Sequence, residues 1–191
     1  MTHPKNIKII SFAGLAGSGK TTATTYLTDK GYPKISFGNV IRVAMQKAHI
    51  DPTEENERSF IHELFQTNHE AFVAEQTIPQ INALLAAGQH RIIADGSNTL
   101  NEYTALKQAY PGNFITVAIV APKHLRHHRL AQRTIHPVAE SEATKRDWTE
   151  IEFESKGGPI ALADYYIIND RSIEQFHTAI DTLLTETGFS S

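Results

Sequence analysis

The chain has 191 residues and a formal net charge of -3 at pH 7, with 40% hydrophobic and 20% charged residues. This length suits one α/β domain with a substantial core, and the composition is that of an ordinary soluble protein. A net negative charge without a run of Lys and Arg argues against nucleic-acid binding. The absence of cysteine excludes disulfides, thiolate metal sites and cysteine nucleophiles.

Membrane and secretory segments are not expected either. No apolar stretch approaches the roughly 20 residues of a membrane helix, and the first eight residues lack the apolar core of a secretion signal. We therefore expect a cytoplasmic protein with no membrane partner, acting as a monomer or a small homo-oligomer.

Short apolar runs alternate with longer amphipathic stretches along the chain, a pattern typical of a parallel sheet wrapped by helices. The predicted strands are 7–13, 34–37, 91–94, 114–120 and 165–168. The predicted helices are 20–30, 39–49, 54–87 with a break near Pro79, 101–110, 122–133 and 172–187. Because several strand runs are almost continuously apolar, both faces of the sheet should be covered.

The sequence predicts a single domain over residues 1–191, with two insertions in its core. The predicted core segments are 7–37, 76–133 and 160–187. Residues 38–75 form a long, charged and largely helical stretch between two predicted strands, which indicates an insertion rather than core. Residues 134–158 are polar with little apolar periodicity, and a loop of this length is usually a functional lid or disordered. We predict a lid for 134–158, mobile until a ligand binds.

Residues 14–21 read Gly-Leu-Ala-Gly-Ser-Gly-Lys-Thr, a complete G-x-x-x-x-G-K-[ST] phosphate-binding loop between a predicted strand and a predicted helix. Backbone N–H groups of such a loop point at phosphate oxygens at the positive end of the helix. Lys20 can reach the β- and γ-phosphates, and the Thr21 hydroxyl can complete a Mg²⁺ shell. The residues predicted to bind ATP here are Gly14, Ala16, Gly17, Ser18, Gly19, Lys20, Thr21 and Thr22.

Asp95 ends the apolar run 91–94 and precedes Gly96. In a phosphate-loop fold an Asp at the carboxyl end of a strand faces the phosphates and can hold Mg²⁺ through water, together with Thr21. The alternative is that the Asp-Gly pair only caps a turn.

Arg126, Arg129 and Arg133 share one face of a predicted helix. Cations next to a lid can stabilise charge on a transferring phosphoryl group, and the prediction is strongest for Arg129 and Arg133. The alternative is a solvated basic face. Arg146 is a further candidate cation of the lid.

Three histidines share the same segment, His124, His127 and His128. They lie beside arginines on a polar segment, so a solvated helix face is favoured over a metal site.

The order of these motifs resembles the nucleoside monophosphate kinase superfamily. Adenylate-kinase-type enzymes have Gly-Asp-x-x-Arg where this chain has Gly38-Asn39-Val40-Ile41-Arg42, an Asp-Gly after the third core strand, and an Arg-x-x-x-Arg at the lid entrance. The resemblance implies a P-loop NTPase fold of the α/β class: a parallel five-stranded sheet with helices on both faces, an acceptor-binding helical insertion and a lid. It also implies that the insertion 38–75 binds the acceptor, with Gly38 and Arg42 as acceptor-binding residues.

The C-terminal stretch 161–172 is similar to the end of dephospho-coenzyme A kinases and of a group of adenylate-kinase-like proteins of unsettled function. In those families the Asn at the position of Asn169 lies near the donor adenine, so Asn169 is expected to contact ATP.

Two departures from the adenylate kinase pattern concern the acceptor. Asn39 replaces the usual Asp and cannot deprotonate a hydroxyl, as a dephospho-coenzyme A kinase requires. Residues 97–99 read Ser-Asn-Thr where adenylate kinases carry an Arg, so one phosphate clamp for a plain AMP acceptor is missing.

The predicted activity is transfer of the γ-phosphoryl group of Mg-ATP to a small nucleotide-like acceptor, with Mg²⁺ as the cofactor. The predicted catalytic residues are Lys20, Asp95, Arg129 and Arg133. Catalysis by positioning and charge needs no covalent intermediate. Two alternatives stay open: a dephospho-coenzyme A kinase, and a regulatory ATP-binding or ATPase module without a small-molecule acceptor.

Overall fold

The computed structural model describes residues 7–67, 72–96, 99–134 and 137–190. The strands in these ranges are β1 (Lys8–Ala13), β2 (Lys34–Ser36), β3 (Arg91–Asp95), β4 (Phe114–Val120) and β5 (Tyr165–Ile168). The helices are α1 (Lys20–Asp29), α2 (Phe37–Lys47), α3 (Glu54–Gln66), α4 (Phe72–Ala86), α5 (Leu100–Ala109), α6 (Lys123–Ala131), α7 (Glu140–Glu152), α8 (Gly157–Ala161) and α9 (Ile173–Glu186). None of the described helices has the length and apolar character needed to cross a membrane.

The five strands form one parallel sheet in the order β2-β3-β1-β4-β5. β1 is central, and its Ile10 pairs with Ile93 of β3 and with Ile115 of β4. The carboxyl ends of all five strands therefore lie along one edge, where ligands of open α/β sheets bind. The predicted α/β fold with a parallel five-stranded sheet is confirmed.

Apolar side chains cover the sheet on both faces. On one face Ile10 and Phe12 of β1 pack with residues of α1 and α9, including Leu27 and Phe176. On the other face Ile9 and its neighbours pack with residues of α2, α4 and α5. Because consecutive strand residues point to opposite faces, burial of both faces requires nearly continuous apolar runs.

The helices differ from the prediction at several places: the predicted stretch 54–87 consists of α3, which ends at Gln66, and α4, which begins at Phe72, and the short helix α8 was not predicted. The predicted break near Pro79 is wrong, because α4 continues through Pro79 while Thr77 and Ile81 on either side of it are buried. Tertiary packing of an apolar face outweighs the missing backbone hydrogen bond of proline. The polar segment 134–158 also contains a regular helix, α7, which the absence of apolar periodicity concealed.

Candidate active site

The phosphate loop leaves the carboxyl end of β1 and enters α1, with Gly19 as the residue that caps this helix. Gly17 has a left-handed φ of 80°, and a Cβ atom built on it lies 2.6 Å from the carbonyl oxygen of Arg126. Only glycine fits there, because α6 presses its backbone against the loop. The shape of the loop is therefore fixed by packing against the neighbouring helix.

Lys20, the first residue of α1, folds back over this loop. Its ammonium donates to the carbonyl oxygen of Gly14 and lies 3.4 Å from that of Leu15. Burial, followed by the positive charge of Lys156, lowers the pKa of Lys20 to about 8. The Lys20 ammonium therefore loses its proton more easily than an ordinary lysine does. An anion bound beside it would raise the pKa again.

Asp95 lies at the carboxyl end of β3, beside the edge strand β2 and next to α1. One carboxylate oxygen, Oδ2, accepts a hydrogen bond of 3.4 Å from the Thr24 hydroxyl and is also 3.4 Å from Lys34 Nζ. Thr21 stands one turn earlier on α1 and is exposed, as is Thr22. The Asp95 carboxylate and the Thr21 hydroxyl are hard oxygen donors of the kind that Mg²⁺ takes, so these residues fit the ion.

Arg129 and Asn169 are hydrogen-bonded to each other and to the backbone of the phosphate loop. Arg129 Nη2 donates to the Asn169 carbonyl oxygen at 3.0 Å, and its Nη1 is 3.5 Å from that of Gly17. The Asn169 side chain donates to the Ser18 carbonyl oxygen at 2.8 Å. The structure therefore places both residues at the loop, whereas Arg133 follows the end of α6 and is exposed.

Arg126 has a different environment from Arg129, the other arginine of α6. It makes two bonds with Asp147 of α7, at 2.6 and 2.9 Å, and donates to the Ala16 carbonyl oxygen at 3.1 Å. His127 Nε2 lies 2.9 Å from the same carboxylate, and all three side chains are buried. We call Arg126, His127 and Asp147 the brace, since they join the loop to α6 and α7.

Hydrogen bonds keep the Asp147 carboxylate of the brace ionised. Burial raises the pKa of Asp147, but hydrogen bonds from Arg126 and His127 outweigh it and leave the pKa below its usual value. Removing one partner of such a buried pair costs about 3–5 kcal/mol. The predicted solvated face for the three histidines is wrong for the buried His127, while His124 and His128 are exposed. The alternative of a solvated basic face does not apply to Arg126, which is buried.

Glu150, one turn after Asp147 on α7, is a site residue that the sequence did not reveal. Its Oε2 accepts a 2.8 Å hydrogen bond from the backbone N–H of Ala16, inside the phosphate loop. Its Oε1 lies 3.0 Å from Lys156 Nζ and 3.3 Å from Arg146 Nε. A signal does exist in the sequence, because Arg146 and Glu150 have the i, i+4 spacing of a helical ion pair.

A cleft of about 680 Å³ opens from Glu150 and Gly96 toward α2 and α3. Its apolar wall consists of Phe37, Ile41, Ile61, Leu64 and Val73. The opposite wall belongs to α7 and carries Lys145 and Arg146. A cleft of this size with one apolar and one charged wall suits a small molecule.

Gly38 and Arg42, predicted from resemblance to bind the acceptor, both line this cleft. The side chain of Arg42 is 63% exposed, and its Nε is 3.8 Å from Glu57. Gly38 lies in the first turn of α2, where the Ser36 side chain accepts from the Asn39 N–H and caps the helix. Of the departures at 97–99, Ser97 and Asn98 lie outside the described residues.

Proteins of archaea match the chain over nearly its whole length. It is 32% identical to UPF0200 protein TK1334 of Thermococcus kodakarensis over 181 residues, which cover 93% of this chain and 97% of that protein. It is 33% identical to a UPF0200 protein of Sulfurisphaera tokodaii over 183 residues, 93% of this chain and 96% of the relative. No family model matches the sequence.

Solved structures with the same fold include small-molecule kinases. TT1252 from Thermus thermophilus superposes with a TM-score of 0.68 at 19% identity, covering 95% of this chain and 98% of that one. Shikimate kinase from Bacteroides thetaiotaomicron gives 0.58 at 16% identity, with 94% and 97% covered. A gluconokinase from Sinorhizobium meliloti gives 0.54 at 14% identity, with 98% and 99% covered. The predicted P-loop kinase-like fold is confirmed by these neighbours.

Proposed function

The chain belongs to the UPF0200 family, and from its site we propose that it is an ATP-dependent kinase of a small nucleotide-like acceptor. The observation that carries the proposal is the continuity of the site. Glu150 touches the phosphate loop with one oxygen and lines the 680 Å³ cleft, so the donor loop and the cleft share one boundary. A kinase needs this adjacency, because the terminal phosphoryl group moves only a few ångströms between donor and acceptor.

The donor half binds the triphosphate in this proposal. The amides of the loop take the phosphate oxygens, and Lys20 turns from the Gly14 carbonyl to bridge the β- and γ-phosphates. Arg129 stabilises charge on the transferring group, while Asn169 contacts the adenine side. Arg133 assists only if the segment after α6 moves, since it is exposed in the structure.

Mg²⁺ fits the same half. The Thr21 hydroxyl and the Asp95 carboxylate would hold the ion together with phosphate oxygens, and the ion would neutralise charge on the triphosphate. The hydrogen bond from Thr24 of α1 and the ion pair with Lys34 of β2 hold the Asp95 carboxylate in place.

The acceptor half consists of the cleft between α2, α3 and α7. The apolar wall accepts a flat or hydrophobic body, and Arg42 provides a planar pair of donors for a phosphate or carboxylate. The proposed lid, residues 134–158, contains α7, whose charged side chains close the other side of the cleft.

A hydroxyl acceptor is the second candidate. Two of the structural neighbours are named shikimate kinase and gluconokinase, after small carboxylated polyols. The C-terminal stretch around Asn169 favours dephospho-coenzyme A among hydroxyl acceptors, as its resemblance implies.

An acceptor screen tests the proposal. Purified protein is incubated with Mg-ATP and with nucleoside monophosphates, dephospho-coenzyme A, shikimate or gluconate, and ADP and phosphorylated product are both measured. Lys20→Ala serves as the matched inactive variant. Product that depends on one acceptor supports a kinase and identifies its class. ADP formed at the same rate without any acceptor instead supports a regulatory ATPase, and failure to bind ATP contradicts both.

A further inference from the structure

The carboxylate of Glu150 has the partners that a phosphate group uses. It is 2% exposed and accepts a hydrogen bond from a phosphate-loop amide, that of Ala16. Its second oxygen is within 3.3 Å of a guanidinium and an ammonium, those of Arg146 and Lys156. A backbone N–H, an Arg and a Lys are the three kinds of donor that proteins assemble around phosphate.

The groups in this cluster are charged. Burial raises the pKa of Glu150, but the charges of Lys156 and Lys20 outweigh it, so the pKa lies below its usual range. Burial likewise lowers the pKa of Lys156, and the nearby Glu150 and Glu154 raise it by more. The cluster is therefore a carboxylate surrounded by cations at neutral pH.

The position of Ala16 in the loop identifies which phosphate is involved. Ala16 precedes Gly17, Ser18 and Gly19, whose amides lead into α1 and cradle the inner phosphates in loops of this type. Lys20, which reaches the β- and γ-phosphates in such loops, is electrostatically coupled to Glu150. Glu150 thus lies on the terminal-phosphate side of the loop.

On the basis of the proposed function, we propose that Glu150 competes with the γ-phosphate of ATP for the Ala16 amide and for two cations, Arg146 and Lys156. The γ-phosphate displaces the carboxylate and takes Arg146 and Lys156 as ligands. ADP has no γ-phosphate, so Glu150 keeps its contacts with Ala16, Arg146 and Lys156 when ADP binds. Glu150 therefore weakens the binding of the triphosphate selectively, and its displacement signals the arrival of a complete donor to α7.

The alternative arrangement, in which the γ-phosphate does not displace Glu150, predicts the opposite change in triphosphate affinity. If Glu150 only orients Arg146 and Lys156, and the γ-phosphate binds beside it, removing the carboxylate disorders two phosphate ligands. The affinity for a triphosphate then falls when Glu150 is neutralised, whereas displacement predicts that it rises.

Calorimetric binding of a non-hydrolysable ATP analogue and of ADP, both with Mg²⁺, separates the two arrangements. Glu150→Gln should bind the analogue about tenfold more tightly than wild type, with ADP affinity unchanged within about threefold. Glu154→Gln is the matched control, because Glu154 pairs with the same Lys156 at 2.8 Å but has no hydrogen bond to Ala16. It removes the same charge and should change both affinities by less than about threefold.

The ligand role of Lys156 is tested independently. Lys156→Gln should weaken the analogue about tenfold and ADP by less than about threefold. Equal effects on the two nucleotides would show that Lys156 supports the fold of α7 rather than the terminal phosphate.

The inference is overturned if Glu150→Gln weakens the analogue, or if Glu154→Gln tightens it as much. Thermal unfolding monitors the integrity of each variant. If Glu150→Gln does not fold, Glu150→Asp keeps the charge while its shorter side chain withdraws from the Ala16 amide, and it should tighten the analogue in the same way. Wild-type protein that binds neither nucleotide contradicts the proposed function itself, whereas normal binding with no gain in Glu150→Gln contradicts only the displacement.

Discussion

The two halves of the site are built differently. On the donor side Gly17 has no room for a Cβ atom, and Arg129 is bonded to two backbone carbonyl groups. On the acceptor side the nearest atom to a Cβ on Gly38 is 4.0 Å away, and Arg42 is mostly exposed with one long ion pair. Packing thus fixes the proposed donor site before any ligand binds, while the side chains of the proposed acceptor site can adapt to a ligand.

Substituting Gly17 and Gly38 by alanine should give the largest difference between the two halves of the site. Gly17→Ala should abolish measurable ATP binding, because its φ is left-handed and its Cβ meets the Arg126 carbonyl oxygen. Gly38→Ala, in a helix with open space, should raise the free energy of unfolding by about 0.5–1 kcal/mol. Calorimetry and urea unfolding measure the two effects. Wild-type ATP affinity in Gly17→Ala would contradict the fixed geometry of the donor side.

Lys20→Ala tests the chemistry of the donor half. Loss of its ammonium should lower phosphoryl transfer at least about 100-fold, the effect of deleting one preorganised donor at a transition state. Initial rates with the acceptor found by the screen, or ATPase rates without one, measure it. Circular dichroism controls for folding. An unchanged rate in folded protein excludes the central role of the loop.

The lowered pKa of Lys20 predicts a pH dependence of ATP binding. The ammonium form binds the triphosphate, so bound ATP raises the pKa above its value of about 8 in the free protein. Affinity should be constant below pH 8 and fall above it, approaching about tenfold per pH unit. Lys20→Arg keeps its charge and should give a flat profile. Titrations from about pH 7 to 9.5 decide this, and a flat wild-type profile disagrees with the lowered pKa.

Of these variants, Arg42→Ala should have the smallest effect on ATP affinity and an effect specific to the acceptor KM. Arg42→Ala should raise the acceptor KM while ATP affinity stays within about threefold, which is under 1 kcal/mol. Arg42→Lys should restore the KM only partly, because an ammonium lacks the planar pair of donors. A folded Arg42→Ala that no longer binds ATP would show that the donor and acceptor sides are misassigned.

The sequence predicts those parts of the molecule whose signals are local. The strands are readable because burial on both faces leaves apolar runs such as Phe114–Val120, and the phosphate loop is readable because close packing demands glycine at fixed positions. The fold class follows from these two signals. The roles of Lys20, Asp95, Arg42 and the other predicted site residues stay predictions.

The parts of the candidate site that could not be predicted depend on contacts between residues far apart in the sequence. Glu150 and Ala16 are separated by 134 positions, and Arg126 and Asp147 by 21, so no short pattern announces either pair. The sequence also concealed α7, because its buried residues include the acids Asp147 and Glu150 rather than an apolar stripe. A helix held by ion pairs lacks the periodicity that reveals a helix held by its apolar face.

Trp148 is the only tryptophan of the chain and lies on α7, between Asp147 of the brace and Glu150. Trp148 is 60% exposed, so its fluorescence emission is sensitive to changes in its surroundings. The protein therefore carries an intrinsic fluorophore at the helix that joins the donor loop to the cleft. Selective excitation of this indole during rapid mixing with ADP or ATP gives the rate at which α7 responds to each nucleotide, without labelling.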